Sequence, residues 1–270
     1  MRRRDFILST FAAYVAAAAR PFGFDSTALK GLTTSTSQPR AATRKILIAG
    51  GGYGTPFIRY MAELTGKTRP KLLFLPTASA DSATSTLSWY RSCAPLNVEP
   101  SDQASFIASA RQDKSWEDVL LSVDGIVCSG GNTLNQQAIW KAQGIDVILR
   151  RAWDNGVVLG GASAGSLCWF EEGTTDSRPK ELTIVQGLGF LKGSHSPHYD
   201  GEKDRRPLYQ QLIASGKMKP GYACDNNAGI YFEDNEVKRV VASRAGAKAY
   251  YVSVMNGKVV ERVLEPEMIT

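Results

Sequence analysis

Histidine is scarce in this chain. The 270 residues contain two, His195 and His198, so any chemistry that needs an imidazole must draw on one short stretch. Cysteine is sparse too. Cys93, Cys128, Cys168 and Cys224 show no C-x-x-C spacing, which leaves a structural zinc site or a dithiol redox motif without support. Cys128 and Cys168 fall in apolar runs and read as core thiols. There is no internal repeat, no long low-complexity tract, and no stripe of Lys and Arg interleaved with aromatics of the kind a phosphate-tracking groove needs. The formal charge is +6, but Arg2, Arg3 and Arg4 supply part of it, and nucleic acid is excluded as a partner. What is present is ordinary globular material, 43% hydrophobic and 21% charged, long enough for a large α/β core.

The N-terminal stretch has an address rather than a fold. Arg2, Arg3 and Arg4 precede Phe6-Ile7-Leu8 and a weakly apolar run that ends in small residues near Ala19. This reads as an export signal over residues 1–19, and Arg3-Arg4-Asp5-Phe6-Ile7 has the twin-arginine pattern, giving a periplasmic or secreted protein. The apolar part is too short and Ala-rich for a membrane span, so no membrane association is expected after signal removal. Residues 20–42, rich in Thr, Ser and Pro, read as a flexible lead-in to one α/β domain over 43–270.

Within that domain, short apolar runs alternate with helical spacing. Ile46-Leu47-Ile48-Ala49 ends in Gly50-Gly51-Gly52-Tyr53-Gly54; Lys71 to Leu75 ends at Pro76-Thr77; Asp124 to Cys128 ends in Ser129-Gly130-Gly131-Asn132-Thr133. A further strand is expected around Val98, and helices over Phe57 to Leu64, around Trp89 to Cys93, over Gln112 to Leu121, and over Leu134 to Arg151. Strands that are apolar on both faces imply a mostly parallel sheet with helices on both sides, whose ligands lie beyond the carboxyl ends of the strands. The first glycine loop is not a dinucleotide loop: G-x-G-x-x-G needs Gly at 55 or 57, where Thr55 and Phe57 stand. Near the C-terminus, Tyr250 to Val254, Asn256-Gly257 and Lys258 to Val263 form a hairpin by alternation and turn.

The run Val157 to Phe170, VVLGGASAGSLCWF, organises the rest. An apolar strand passes through Gly161-Ala162-Ser163-Ala164-Gly165 into a helical segment, which is the G-x-S-x-G nucleophile elbow. Ser163 would sit at a helix N-terminus with the N–H of Ala164 facing a developing oxyanion. A serine nucleophile needs a base, and the base needs an acceptor that fixes its tautomer. His198, after Pro197, is expected in extended and well-defined backbone and is the preferred base; His195, among Gly193, Ser194 and Ser196, reads as a loop residue. Candidate acids are Asp200, Asp204 and Asp225. Asp200 is too close in sequence to fold back on His198 in good geometry, whereas Asp225 can approach from a separate segment.

Four stretches in this order carry a family resemblance: SGGNT at 129–133, GASAGSLCWF at 161–170, SPHYD at 196–200 and GYACDNNAGIYF at 221–232. The chain resembles the peptidase E and cyanophycinase family of serine peptidases, whose fold is similar to class I glutamine amidotransferases. The resemblance implies that Ser163 is the nucleophile and His198 the general base, with the N–H groups of Gly131 and Ala164 forming the oxyanion hole. It implies hydrolysis of a small peptide, in some members beside an aspartyl residue, without cofactor or metal. Asn132, Thr133 and Arg205 are the candidate substrate-binding residues, Arg205 standing where peptidase E members carry an arginine for an acidic side chain. A homodimer is compatible with this reading. One departure stands out. The family usually has Glu or Asp at the position of Asn226, and an amide there costs about four orders of magnitude in the standard serine peptidase. Either Asp225 takes the role by a one-residue shift, which is the favoured reading, or catalysis is weak. The competing readings are an amidase or esterase on a small metabolite, and a binding protein whose triad has decayed at Asn226.

Overall fold

A computed structural model describes residues 42–270; the expected export signal and nearly all of the lead-in lie outside the described residues. The first half builds a parallel sheet. Strands β1 (Lys45–Ala49), β2 (Lys71–Leu75), β3 (Glu99–Asp102), β4 (Gly125–Cys128) and β5 (Val158–Ala162) pair in the spatial order β1-β5-β4-β2-β3. Helices α1 (Thr55–Thr65), α2 (Ala83–Cys93), α3 (Trp116–Leu120), α4 (Thr133–Gln143) and α5 (Ile145–Asp154) connect them. Strands β1, β2, β4 and β5 are almost wholly apolar because both faces are covered, whereas the edge strand β3, EPSD, is polar and only partly buried. Ile46, Ile48, Leu73, Leu75, Ile126 and Leu159 belong to one core with Trp140, Trp153 and Trp169. Their strand neighbours Leu47, Leu72, Phe74, Val127 and Val158 belong to another with Phe57, Ile58, Met61 and Trp89. Each fully buried large side chain contributes on the order of 1.5–3 kcal/mol.

The second half is less regular. It contains α6 (Ala164–Leu167), β6 (Phe170–Thr175), β7 (Thr183–Gln186), β8 (Leu191–Ser196), α7 (Arg205–Ala214), β9 (Gly221–Cys224), β10 (Ala228–Glu233), β11 (Glu236–Ala242), β12 (Ala249–Met255), β13 (Lys258–Leu264) and β14 (Glu267–Met268). Strands β10, β11 and β14 extend the first sheet to eight strands, β10 lying antiparallel to β1. The others form a second, six-stranded sheet in the order β13-β12-β9-β8-β6-β7. The class is α/β as expected, with the expected hairpin, where Asn256 and Gly257 both have positive φ and Met255 pairs with Lys258. The second sheet is a departure from the single sheet read in the sequence. Its strands β6 and β8, FEEGTT and LKGSHS, are too polar to read as buried strands. They are strands because they pair with each other and bury matched hydroxyls, Thr174 Oγ1 lying 2.8 Å from Ser196 Oγ.

Two helix expectations also change: of the run Gln112 to Leu121 only Trp116–Leu120 is α-helix, capped by Ser115. The run Leu134 to Arg151 is two helices, broken at Gly144, whose φ of 70° closes α4 in the left-handed region. Among the described residues no helix is long and apolar enough to cross a membrane.

Candidate active site

Three loops leave the carboxyl ends of three adjacent strands. They are Gly50–Gly52 after β1, Ser163 after β5, and Ser129–Gly131 after β4. Ser163 is at the apex of the elbow, with φ 57° and ψ −119°, a conformation a non-glycine residue holds only when its surroundings over-determine it. The surroundings are small by necessity. A Cβ on Gly165 would lie 2.1 Å from the Cys128 carbonyl oxygen, and one on Gly161 2.4 Å from the same atom. Bare glycines therefore let the elbow press onto β4. On the other side, a Cβ on Gly130 would stand 3.3 Å from Ser163 Cβ.

The two candidate oxyanion donors are differently held. Ala164 is the first residue of α6, where no intrahelical carbonyl reaches its N–H. Gly131 has φ 133° and its Cα faces the Ala78 carbonyl so closely that a Cβ would lie 2.1 Å from the oxygen. The next N–H, of Asn132, donates to that carbonyl at 2.8 Å and pins the loop.

His198 comes from the second sheet, just beyond β8. Its backbone is left-handed, φ 52°, rather than extended as expected, because the chain turns sharply there: the N–H groups of Gly201 and Glu202 both donate to the His198 carbonyl, at 3.1 and 3.2 Å. His198 Nδ1 lies 2.7 Å from Asn226 Oδ1. Asn226 follows β9, the neighbour of β8, and is tied to the first sheet through a bridge with Gly51. His198 and Ser163 line one cavity of ≈ 470 Å³ with Tyr53, Phe74, Trp89, Ser129 and Gly130. No direct hydrogen bond joins them among the described residues. Such contacts are commonly long before substrate binds.

A strained serine at a strand-to-helix elbow, sharing a cavity with a histidine whose other nitrogen is held, invites comparison with known hydrolases. Residues 45–240 match the model of peptidase family S51. The chain belongs to that family. It is a serine-type peptidase. It is 42% identical over 221 residues, 80% of this chain and 94% of the other, to "Uncharacterized peptidase YgaJ" of Bacillus subtilis (strain 168). In solved structures the fold is similar to a peptidase from an acI-B1 Actinobacterium (TM-score 0.64, 14% identity, 84% of this chain and 96% of that one). It is also similar to a putative peptidase E protein from Listeria monocytogenes EGD-e (TM-score 0.57, 16% identity, 74% and 99%).

Not every candidate residue of this S51 peptidase meets the site. Asp225, favoured from sequence as the acceptor, faces away from His198. Its Oδ2 accepts the Lys248 N–H at 2.9 Å, its Oδ1 has no partner, and burial raises its pKa above the usual carboxylate value. Successive residues leaving a strand point to opposite sides, so only one of Asp225 and Asn226 can face the histidine, and it is Asn226. Arg205 is buried. It donates to the Thr174 carbonyl at 2.8 Å and pairs with Glu202, and it does not line the cavity. Asn132 caps α4, accepting the Asn135 N–H at 2.9 Å, and Thr133 is buried with its N–H donating to Ser177 Oγ at 2.9 Å; both shape the Gly131 loop and neither lines the cavity.

His195 is not a loop residue. It lies inside β8, fully buried, with Nδ1 3.1 Å from the Tyr222 carbonyl, Nε2 3.0 Å from Ser166 Oγ, and its ring stacked on Phe170. Burial lowers its pKa to about 3, so it stays neutral and serves as a brace: Ser166 Oγ is also 2.8 Å from the Ser163 carbonyl. Cys168 is buried beneath the elbow, and burial pushes its thiol well up, away from any nucleophilic thiolate. Sequence reasoning passed over Gly51, which packs across the histidine. A Cβ there would lie 1.9 Å from Asn226 Oδ1 and 2.7 Å from His198 Nδ1. The only signal was three consecutive glycines after a strand.

Proposed function

We propose that this peptidase works through a Ser163 acyl-enzyme with His198 as general base. His198 Nε2 takes the Ser163 hydroxyl proton as Oγ adds to a peptide or isopeptide carbonyl, and the N–H groups of Gly131 and Ala164 receive the oxyanion. Collapse of the tetrahedral adduct expels the amine, which takes the proton back from His198. Water then adds to the acyl ester with His198 again accepting a proton, and the acid and free Ser163 are released. The observation that carries this reading is the strained Ser163 elbow opening into the same cavity as His198. The Arg3-Arg4-Asp5-Phe6-Ile7 pattern supports export of the folded enzyme.

An aspartyl side chain beside the scissile bond is not the substrate we favour. Arg205 is committed to Glu202 and Thr174, and no Lys or Arg is among the residues that line the cavity. Its wall is instead made by Ser85, Ser88 and Ser92, on one face of α2, over a floor where Phe74 and Trp89 stack at 5.4 Å. An unpaired carboxylate entering such a cavity loses hydration without a countercharge, so an uncharged, aromatic-sized side chain suits it best.

The test is labelling by a fluorophosphonate, with peptide aldehydes as competitors. Labelling should be lost in Ser163→Ala and His198→Ala, and an aldehyde ending in Phe should protect at a concentration at least about tenfold lower than one ending in Asp, a difference of ~1.4 kcal/mol. Equal or better protection by the Asp aldehyde overturns the substrate reading. Absence of labelling in the native enzyme overturns the serine mechanism and favours a binding protein whose triad has decayed.

A further inference from the structure

We infer that Asp200 is a positioning residue for His198 that acts through Asn226, so that the negative charge of this site stands one residue further from the imidazole than a carboxylate in direct contact would. The inference rests on the reading of His198 as the general base. Five hydrogen bonds carry it. Asp200 Oδ1 accepts the backbone N–H of Asn226 at 2.7 Å and its side-chain Nδ2–H at 3.2 Å. Asp200 Oδ2 accepts from Arg244 at 2.6 Å, and the same guanidinium nitrogen donates to the Asn226 carbonyl at 3.1 Å. The far end of the Asn226 amide meets His198 Nδ1 at 2.7 Å.

The donor and acceptor roles then follow in one direction. A carboxylate can only accept, so the end of the Asn226 side chain that faces Asp200 must be the amide nitrogen. Turning the amide over would set its oxygen against the Asp200 oxygen and lose the bond. The amide oxygen therefore faces His198, and since it too can only accept, the imidazole proton sits on Nδ1. That leaves the Nε2 lone pair free for the Ser163 proton. An amide alone would fix neither orientation nor tautomer, because it presents a donor and an acceptor of nearly equal size. Asp200 supplies the asymmetry, and its charge polarises the amide toward the imidazolium that forms during the reaction.

The chain geometry explains how a residue two positions after His198 does this. The left-handed φ of His198 and the turn closed on its carbonyl bring Asp200 back under Asn226. Gly201 completes the fit, since a Cβ there would lie 2.3 Å from Asn226 Nδ2.

The test is a charge swap, read as the second-order rate of Ser163 labelling by a fluorophosphonate. Asp200→Asn should label at least tenfold more slowly, because the amide of Asn226 loses its orientation. Asn226→Asp should also be slow, because it sets two carboxylates against each other. The double variant Asp200→Asn/Asn226→Asp restores one carboxylate and one amide in exchanged places, and it should label within about threefold of the native enzyme or faster, which no purely structural role for Asp200 predicts. The low-field Nδ1 proton of His198, followed by NMR, should be lost or shifted in Asp200→Asn while the far-UV circular dichroism is unchanged. Native labelling in Asp200→Asn, or a gain in Asn226→Asp alone that the double variant does not exceed, overturns the inference. If either result occurs while Ser163→Ala and His198→Ala still abolish labelling, the serine mechanism stands and Asp200 has no part in it.

Discussion

Two neighbouring side chains, Asp225 and Asn226, leave the end of β9 in opposite directions, and that alternation decides what each does. Asn226 reaches His198, whereas Asp225 turns into a pocket with the Lys248 N–H and the Tyr250 hydroxyl, with one carboxylate oxygen left without a partner. Its pKa is raised, with burial the largest cause, so the native state binds its proton more tightly than the unfolded chain does. Stability therefore falls as pH rises from the unfolded value through the folded one, and at neutral pH the charge is a net cost. Asp225→Asn should raise the melting temperature at pH 7 and leave fluorophosphonate labelling intact. A drop in labelling to the level of His198→Ala would return Asp225 to the catalytic machinery. At this scale the sequence was legible in part. Ser163 and His198 announce themselves by an elbow motif and by scarcity, but the choice between two adjacent polar residues depends on a strand phase that no motif records. Asp200 was set aside as too near His198 in sequence, a judgement that assumed extended backbone where the chain turns left-handed.

The elements place these residues by close approach, and the glycine loops are the means. The strand-then-glycine pattern after β1 is readable as a place where backbone must come near something, but composition does not say what. In the structure it is the protein's own His198–Asn226 pair, which Gly51 covers with no room for a methyl group. Gly51→Ala should therefore push Asn226 Oδ1 off the imidazole and slow labelling by at least about 100-fold, short of the ~10⁴ seen when a triad acceptor leaves the histidine in the wrong tautomer. Gly54→Ala, where a Cβ meets nothing within 4 Å, serves as the control and should label like the native enzyme. A common loss in both variants would mean that loop flexibility, not the contact with Asn226, is what Gly51 provides. The parallel strands that carry these loops were legible because both faces are apolar. The second sheet was not, since β6 and β8 are held by buried hydroxyl pairs and neighbouring strands rather than by an apolar pattern.

At the scale of the whole molecule, the nucleophile belongs to one sheet and the base with its acceptor to the other, so the active site exists only while the two sheets stay in register. His195 is one of the ties between them. From β8 of the second sheet it reaches Ser166 under the elbow of the first, and it does so as a neutral imidazole fully removed from water. Burial holds its folded pKa at about 3 against an ordinary value of 6.5. Between those values the unfolded chain binds a proton that the native state refuses, so the stabilisation is fully present above pH 6.5 and is lost as pH falls toward 3. One such group gives a slope of roughly 1.4 kcal/mol per pH unit across that window. Urea unfolding of the native enzyme between pH 7 and 4.5 should show this slope added to that of the carboxylates, and His195→Gln, which keeps a neutral polar side chain without a titrating ring, should flatten the profile by about one proton while lowering stability at pH 7. If the two profiles run parallel, His195 is not the group whose protonation separates the sheets. If the slope disappears and labelling in the native enzyme declines along the same acid limb, the loss of activity in acid reflects parting of the two sheets.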